Sequence, residues 1–338
     1  MRLSVIVPAR NEADVLGPCL DSLVSQSGTG FMLGQDWELL VVDDGSTDRT
    51  RSIALGFSTV TLLDTEPLQP GWTGKANAVW TGARKAQGDW LLFTDADTIH
   101  TPGSLERALH EAQHAQVAML SYSPKQLVTG FWQRALMPLI FAELALSYPP
   151  QKVSDPSSRI AAANGQFLMV ERSAYFQVGG HSAVAHSLLE DVDLAFLLKR
   201  RKYPIRFRYA PDALSTRMYR SLGGMIEGWT KNLARLFGFP LMMAAWRALD
   251  LLLIVVLPLL LWHFFALPLQ RYALAAVWIR VLWRFYARVA KSNFSFADCA
   301  LSVFALPLFC LLLARSWWRH KVRNEVAWKG RTYSTLKS

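Results

Sequence analysis

In the N-terminal part of the chain, short continuous apolar runs alternate with segments whose apolar residues recur at helical spacing. Leu3–Val7, Trp37–Val42, Val60–Leu63 and Asp89–Phe93 have the length and content of buried strands. Between the first two, Asp14–Ser27 carries Val15, Leu16, Leu20, Leu23 and Val24, a helical repeat. Pro8 to Glu12 is expected to stop the first strand. Gly45 is expected to turn the chain after the second, with Ser46 or Thr47 capping the next helix. Gly71–Ala78 leads into a further helix reaching about Ala86. Strands spaced by helices predict an α/β fold: a mostly parallel sheet with helices on both faces.

From Gln126 to Tyr148 the pattern becomes almost wholly apolar, interrupted by Arg134, Pro138 and Glu143. A buried core helix and a helix lying in a membrane interface both fit, and the second is the expectation taken forward. Tyr148–Arg159, rich in Pro and Ser, reads as a loop, Ala161–Val170 as a strand, and Leu188–Lys199 as a strand-following helix with an acidic first turn. The C-terminal third holds the longest apolar runs. Leu251–Leu269 has no charged residue and is long enough to span a bilayer. Tyr272–Tyr286 is broken by Arg280 and Arg284, and Ala297–Ala314 by Asp298 and Pro307. These runs predict C-terminal membrane helices. The expected division is residues 1–240 as the α/β domain, 241–315 as the membrane-associated region and 316–338 as a basic cytoplasmic tail.

Charge sharpens that division. Residues 1–245 carry 23 Lys+Arg and 23 Asp+Glu, whereas residues 246–338 carry 13 and 3, so the whole net charge of +10 falls in the apolar C-terminal third. Basic flanks beside apolar spans point to an anionic membrane face at the cytoplasmic side rather than to nucleic acid. The basic loop Arg284–Lys291 and tail Arg315–Arg331 are both expected inside, which a single full crossing between them would not allow. Cys19, Cys299 and Cys310 have neither metal-site spacing nor a paired framework. The N-terminus starts straight into a strand without secretory-signal features, so the first domain is expected in the cytoplasm, at the inner membrane.

Acidic corners carry the candidate chemistry. Phe93-Thr94-Asp95-Ala96-Asp97 takes a buried strand directly into two carboxylates. In extended backbone residues i and i+2 point the same way, so both would face one spot past the carboxyl end of the strand. Two hard oxygen ligands there suit Mg²⁺ or Mn²⁺ carrying a diphosphate. Asp43-Asp44 ends another strand, Glu190-Asp191 starts a later helix, and Lys75 stands in a Gly-flanked turn before a helix as a phosphate-facing cation. Gly71-x-x-Gly74-Lys75-Ala76 is not a Walker loop, because its spacing is wrong and no Ser or Thr follows the lysine.

In order along the chain, Val5-Ile6-Val7-Pro8-Ala9-Arg10-Asn11-Glu12, Val41-Val42-Asp43-Asp44-Gly45-Ser46-Thr47-Asp48, Gly74-Lys75-Ala76-Asn77-Ala78, Asp95-Ala96-Asp97 and Glu190-Asp191 resemble the family 2 glycosyltransferases, which have the Rossmann-like GT-A fold. The resemblance covers roughly residues 3–235. Asn164-Gly165-Gln166, Arg217-Met218-Tyr219-Arg220, Glu227–Asn232 and Trp328-Lys329-Gly330-Arg331 are similar to membrane-associated members acting on lipids, the hopene-associated and diaponeurosporenoate-type glycosyltransferases. The resemblance implies that Pro8, Ala9 and Glu12 lie against the nucleoside of a nucleotide-sugar donor, with Asp44 near the base or ribose. It implies that Lys75 and Asp95 contact the donor, that Asp97, with Asp95, binds the metal, and that Asp191 is the catalytic base, with Glu190 beside it orienting the acceptor. Arg217 and Arg220 fill the arginine positions of the (Gln/Arg)-x-x-Arg-Trp motif of polymerising relatives, but Ser221 stands where that motif has Trp. A UDP-sugar is the family's common donor; no residue decides against GDP.

Displacement at an anomeric carbon needs a hydroxyl made nucleophilic and a diphosphate made able to leave. A carboxylate base serves the first, and a cation or divalent ion the second. One base and one direct displacement imply inversion; the resemblance implies a membrane lipid (hopanoid, carotenoid or polyprenyl) as acceptor. Two other readings stay open: a processive polysaccharide synthase, which needs a complete motif and more spans, and a non-catalytic nucleotide-sugar-binding membrane protein, which would not turn donor over.

Overall fold

A computed structural model describes the chain except residues 27–29, 264–267, 329 and 335–338. Ser27 of the first predicted helix, part of the Leu251–Leu269 run and Lys329 of the C-terminal motif lie outside the described residues. The chain divides into two compact units. The first is Met1–Leu127 with Pro150–Met218, and the second is Val128–Pro149 with Tyr219–Ser338.

The first unit begins with β1 (Leu3–Ala9), α1 (Leu16–Val24), β2 (Trp37–Asp43), α2 (Thr50–Leu55), β3 (Val60–Asp64), α3 (Gly74–Lys85) and β4 (Trp90–Phe93). It continues with β5 (Thr98–His100), α4 (Ser104–His114), β6 (Met119–Ser123) and β7 (Lys125–Gln126). The second unit interrupts it with α5 (Gly130–Ser147), after which come α6 (Pro150–Ser154), β8 (Leu168–Glu171), α7 (Arg172–Gln177), α8 (Glu190–Arg200), β9 (Ile205–Tyr209) and β10 (Leu214–Thr216). The main sheet has the order β3-β2-β1-β4-β8-β6-β9. Every pairing in it is parallel except the two made by β8, which runs against β4 and β6. The mostly parallel α/β sheet expected from the sequence is therefore present.

Strand alternation explains why both faces are covered. Leu3, Val5 and Val7 pack on one face with Leu16, Leu20 and Leu23 of α1 and Leu105, Ala108 and Leu109 of α4. Ile6 points to the other face, beneath α3. There a Cβ placed on Gly82 would come within 2.5 Å of the Ile6 Cγ2 and 3.0 Å of the Val42 Cγ2. Only a bare backbone lets α3 lie this close to the sheet.

Several local expectations are corrected. Pro8 does not stop β1: the strand runs on to Ala9, with Pro8 opposite Val42. Ala9 and Asp44 bond on the β2 side, so the missing N–H of Pro8 falls on the side of β4, whose pairing with β1 ends at Phe93. Ser46 and Thr47 do not cap α2; Asp48 Oδ1 accepts the Thr50 N–H at 2.9 Å and its hydroxyl at 2.5 Å. Asp95 and Asp97 are not in extended backbone, because the Thr98 N–H donates to the Asp95 carbonyl at 3.2 Å and closes a turn. Only the end of Ala161–Val170 becomes strand. The Asn164 side chain accepts the Gln166 N–H at 2.9 Å, an Asx turn that holds the preceding backbone out of the sheet. The Tyr148–Arg159 loop contains α6. Lys199 Nζ donates to the carbonyls of Lys152 (3.1 Å), Val153 (2.6 Å) and Ile160 (2.6 Å), using all three ammonium hydrogens on that segment.

In the second unit, α9 (Leu222–Leu236), α10 (Pro240–His263), α11 (Pro268–Val289), α12 (Phe296–Leu301) and α13 (Leu306–Trp318) follow, then a hairpin of β11 (Glu325–Trp328) and β12 (Arg331–Ser334). Ser221 caps α9 by accepting the Gly224 N–H at 3.0 Å. The interface placement of α5 is corrected: Ala135–Glu143 is buried throughout, and the large apolar residues exposed on this helix are Phe131, Trp132 and Leu146. Nearly uniform apolarity around the helix suits enclosure by its neighbours rather than one wetted face. Arg134 meets Asp298 at 2.6 Å, and Trp229 Nε1 donates to Met137 Sδ at 3.4 Å. Two described stretches are long and apolar enough to cross a membrane, Pro240–Leu260 and Phe296–Arg323. The first begins earlier than Leu251, so it takes in Arg247 and Asp250, which pair with each other at 2.8 Å.

Candidate active site

The carboxyl ends of β1 and β2 form the first corner. The Asp44 N–H donates to the Ala9 carbonyl at 2.8 Å, and Arg10 Nη1 donates to the Asp44 carbonyl at 2.6 Å while lying 3.7 Å from its carboxylate. Asn11 takes a left-handed backbone (φ 52°) that lets it bridge the two loops. Its N–H donates to Ser46 Oγ at 3.0 Å, and its Oδ1 accepts the Thr47 N–H at 2.8 Å. The Glu12 N–H donates to Thr50 Oγ1 at 2.7 Å. Pro8, Ala9, Glu12 and Asp44 thus belong to one hydrogen-bonded ledge at the carboxyl ends of β1 and β2, with Asp44 buried.

The second corner is a charged knot. Thr73 caps α3 through the Ala76 N–H (3.2 Å), and its own N–H donates to the Ala185 carbonyl at 2.7 Å, which fixes the first turn of the helix. From that turn Lys75 Nζ reaches Asp95 Oδ1 at 2.8 Å and Glu190 Oε1 at 2.9 Å. Burial works against its charge, but Asp95, Glu190 and Asp191 hold the ammonium well above an ordinary lysine. Asp191 lies in the first turn of α8, where its Oδ1 accepts the Val192 N–H at 2.8 Å and its Oδ2 the Gly165 N–H at 2.7 Å. Burial first, and the neighbouring Glu190 second, push the Asp191 carboxyl up to about 6 against the pull of Lys75 and the two N–H donors. A Cβ on Gly165 would stand 2.9 Å from Lys75 Nζ and 3.4 Å from Asp191 Oδ2. The two charged side chains therefore close over this glycine.

Buried polar residues support the knot from below. Thr94 donates to the Gln166 carbonyl at 2.8 Å and meets His100 Nε2 at 3.0 Å. The Ser121 hydroxyl accepts the Asn164 N–H at 2.8 Å. His181 is fully enclosed, edge-on to Phe93 with ring centroids 4.8 Å apart, and its Nδ1 lies 2.9 Å from the Tyr175 hydroxyl. Burial, helped by Lys75 and opposed by Glu190, lowers its imidazole to about 4, so it is neutral at physiological pH.

Of the residues singled out in the sequence, Lys75, Asp95, Glu190 and Asp191 come together by direct contact or shared charge. Asp97 is half-buried in the turn after Asp95, and its carbonyl accepts the Thr216 hydroxyl at 3.2 Å. Arg217 follows the end of β10 in the first unit, Arg220 belongs to the second, and both are exposed. Sequence reasoning used Gly165 only as part of a likeness and passed over His181. The Asn164-Gly165 pair was the available signal for a tight turn; a histidine after Gly179-Gly180 gave none.

A family model described as Glycosyl transferase family 2 matches residues 4–175. The chain is 24% identical over 343 aligned positions to 4,4'-diaponeurosporenoate glycosyltransferase of Staphylococcus aureus (strain USA300), an alignment covering 99% of this chain and 89% of that protein. Its fold is similar to that of a solved structure, the mannosyltransferase PcManGT from Pyrobaculum calidifontis in complex with GDP-Man and Mn2+. The TM-score is 0.55 at 19% identity, over 96% of this chain and 88% of that one. The family match spans just over half of the sequence and takes in the β1–β2 ledge, Lys75 and the Asp95 turn, so the chain belongs to glycosyl transferase family 2 and is a glycosyltransferase of the GT-A fold.

Proposed function

We propose that this glycosyltransferase moves a sugar from a nucleotide-sugar donor to a membrane lipid, with inversion at the anomeric carbon. The observation that carries the reading is the knot of Lys75, Asp95, Glu190 and Asp191: one raised, half-buried carboxylate beside a lysine held in its charged form. Asp191 is the base that takes the acceptor hydroxyl's proton. A carboxyl poised near pH 6 is ionised at neutral pH yet basic enough to accept a proton in the transition state. Lys75 sets a fixed positive charge where the diphosphate departs, and Glu190 holds that lysine in place. Pro8, Ala9, Glu12 and Asp44 receive the nucleoside on the ledge, and Arg217 and Arg220 serve as donor-side cations.

The donor set at the Asp95 turn fits a divalent ion. Two hard carboxylates come from a single turn, and the Cys19 thiol beneath is pushed up by burial and then by the charges of Asp97, Asp95 and Glu12, a sign of concentrated negative charge. Among the described residues no group of three His, Cys, Asp or Glu could hold a metal ion. Two carboxylates suit an ion whose remaining ligands are diphosphate oxygens. Mg²⁺ or Mn²⁺ held by Asp95 and Asp97 would neutralise charge on the leaving group.

A lipid acceptor is supported by the likeness to the diaponeurosporenoate enzyme and by the two apolar stretches of the second unit. The same stretches, with the basic C-terminal third, support attachment to the inner membrane with the catalytic unit in the cytoplasm. Ser221, used as a helix cap where polymerising relatives place Trp, speaks for a single transfer rather than a processive one. The test is incubation of membranes containing the protein with a panel of labelled UDP- and GDP-sugars, followed by mass spectrometry of labelled lipid. A lipid carrying one sugar is expected, with proton NMR of the product reading the inverted anomeric centre; a labelled polymer, a retained configuration, or no turnover of any donor would sink the reading.

A further inference from the structure

The second unit buries a set of charges that sugar transfer does not use. Glu143 comes from α5, Arg247 and Asp250 from α10, and Arg284 and Arg288 from α11. Asp250 Oδ2 lies 2.8 Å from Arg247 Nη1, and its Oδ1 accepts from Arg284. Glu143 Oε1 lies 3.5 Å from both Arg247 and Arg288, a length at which neither contact is strong. Glu143, Arg247 and Asp250 are nearly inaccessible, with 5%, 6% and 3% of their side-chain surfaces exposed. Yet the Arg247 Nε has no hydrogen-bond partner.

Three guanidinium groups therefore face two carboxylates. Each guanidinium has five donors, so the carboxylates leave most of those on Arg284 and Arg288 unused. These are the two members of the cluster that reach the surface, with 50% and 28% of their side chains exposed. Arg280, Arg284 and Arg288 recur every fourth residue along α11 and form one stripe. The surface around the stripe is apolar: Ile279 and Trp283 on α11, and Leu252 and Val255 on α10, are exposed. Surplus cations beside a stretch apolar enough to cross a membrane are costly unless an anion joins them.

We propose that Arg284 and Arg288, backed by Arg247, bind the phosphate of an anionic phospholipid whose acyl chains lie along the exposed faces of α10 and α11. The phosphate supplies the acceptors that Glu143 and Asp250 leave short, and the apolar surface suits the chains. This site is independent of the donor site, and its test does not use turnover.

The test follows the thermal midpoint of the full-length protein in a neutral detergent as phosphatidylglycerol, phosphatidylcholine or inorganic phosphate is added. Phosphatidylglycerol is expected to raise the midpoint saturably, whereas the other two leave it unchanged. Arg284→Gln with Arg288→Gln should abolish the rise, and Arg323→Gln, outside the cluster, should keep it. Should the double variant not fold, Arg288→Gln decides, because it leaves both contacts of Asp250 intact. It should weaken the apparent lipid affinity about tenfold or more, as expected on losing a charge-assisted contact. Native mass spectrometry should find one fewer retained phospholipid on that variant. An equal response to phosphatidylcholine or to inorganic phosphate, or an undiminished response in Arg288→Gln, would overturn the proposal.

Discussion

Replacing Gly165 with Ala separates the chemistry of the charged knot from the stability of the fold. The new methyl would sit 2.9 Å from Lys75 Nζ and 3.4 Å from Asp191 Oδ2. Contacts of this kind settle near 3.5 Å or beyond, so the ammonium must retreat by roughly half an ångström or more. Its bonds to Asp95 (2.8 Å) and Glu190 (2.9 Å) would stretch or break. Charge-assisted hydrogen bonds contribute about 1.5–3 kcal/mol each when buried. Lys75 keeps 39% of its side chain in solvent, so the low end applies. A loss of about 1.5–2 kcal/mol of transition-state stabilisation corresponds to about 10- to 30-fold in kcat/KM. The fold should lose no more than those two half-exposed contacts and keep its backbone: the clash falls on the far end of a flexible side chain, Gly165 is outside the left-handed region, and Ala reduces the freedom of the unfolded chain. The assay pairs nucleoside diphosphate release with a thermal melt. Wild-type kcat/KM in a folded Gly165→Ala protein would refute the assignment of Lys75 to the leaving group. A collapsed melt would refute the packing argument.

Asp191→Asn should abolish transfer while leaving donor binding by calorimetry nearly intact; near-normal turnover would remove Asp191 as the base. The acid limb of kcat/KM should fall near pH 6, since the base works only when ionised. Glu190→Gln should move that limb to lower pH, because the charge on Glu190 is one of the causes raising Asp191; a limb that stays in place would contradict this coupling. Chelation by EDTA should halt turnover, with Mn²⁺ or Mg²⁺ restoring it. Asp97→Ala should lose metal-dependent donor binding, and a variant that binds donor equally with and without metal would count against the Asp95–Asp97 site.

The alternating first half was readable because burial on both faces of a parallel strand leaves a continuous apolar signature, as in Leu3–Val7 and Trp90–Phe93. Glu190 and Asp191 were readable because three acidic residues in one helical turn exceed what the helix dipole needs. The floor of the site was not. The hold of Gly165 on Asp191 depends on a turn set by the Asn164 side chain, and apolar periodicity carries no trace of such a turn. For α5, the pattern could not tell a helix enclosed by protein from one lying in lipid, since both surroundings are apolar. Only its packing in the second unit separates them. The ionic cluster was hidden for a related reason. Arg284 read as an interruption of an apolar run, and its partner Asp250 stands 34 residues earlier.

Gly82 lies seven residues beyond Lys75 on α3, about 10 Å along the helix axis. A side chain there would press on Ile6 and Val42, and is expected to lift that end of the helix and strain the contacts Lys75 makes from the other. The position of the Lys75 ammonium is thus set in part by a hydrogen atom at the far end of the lever, and polar substitutions around the ammonium are not expected to repair a fault made there.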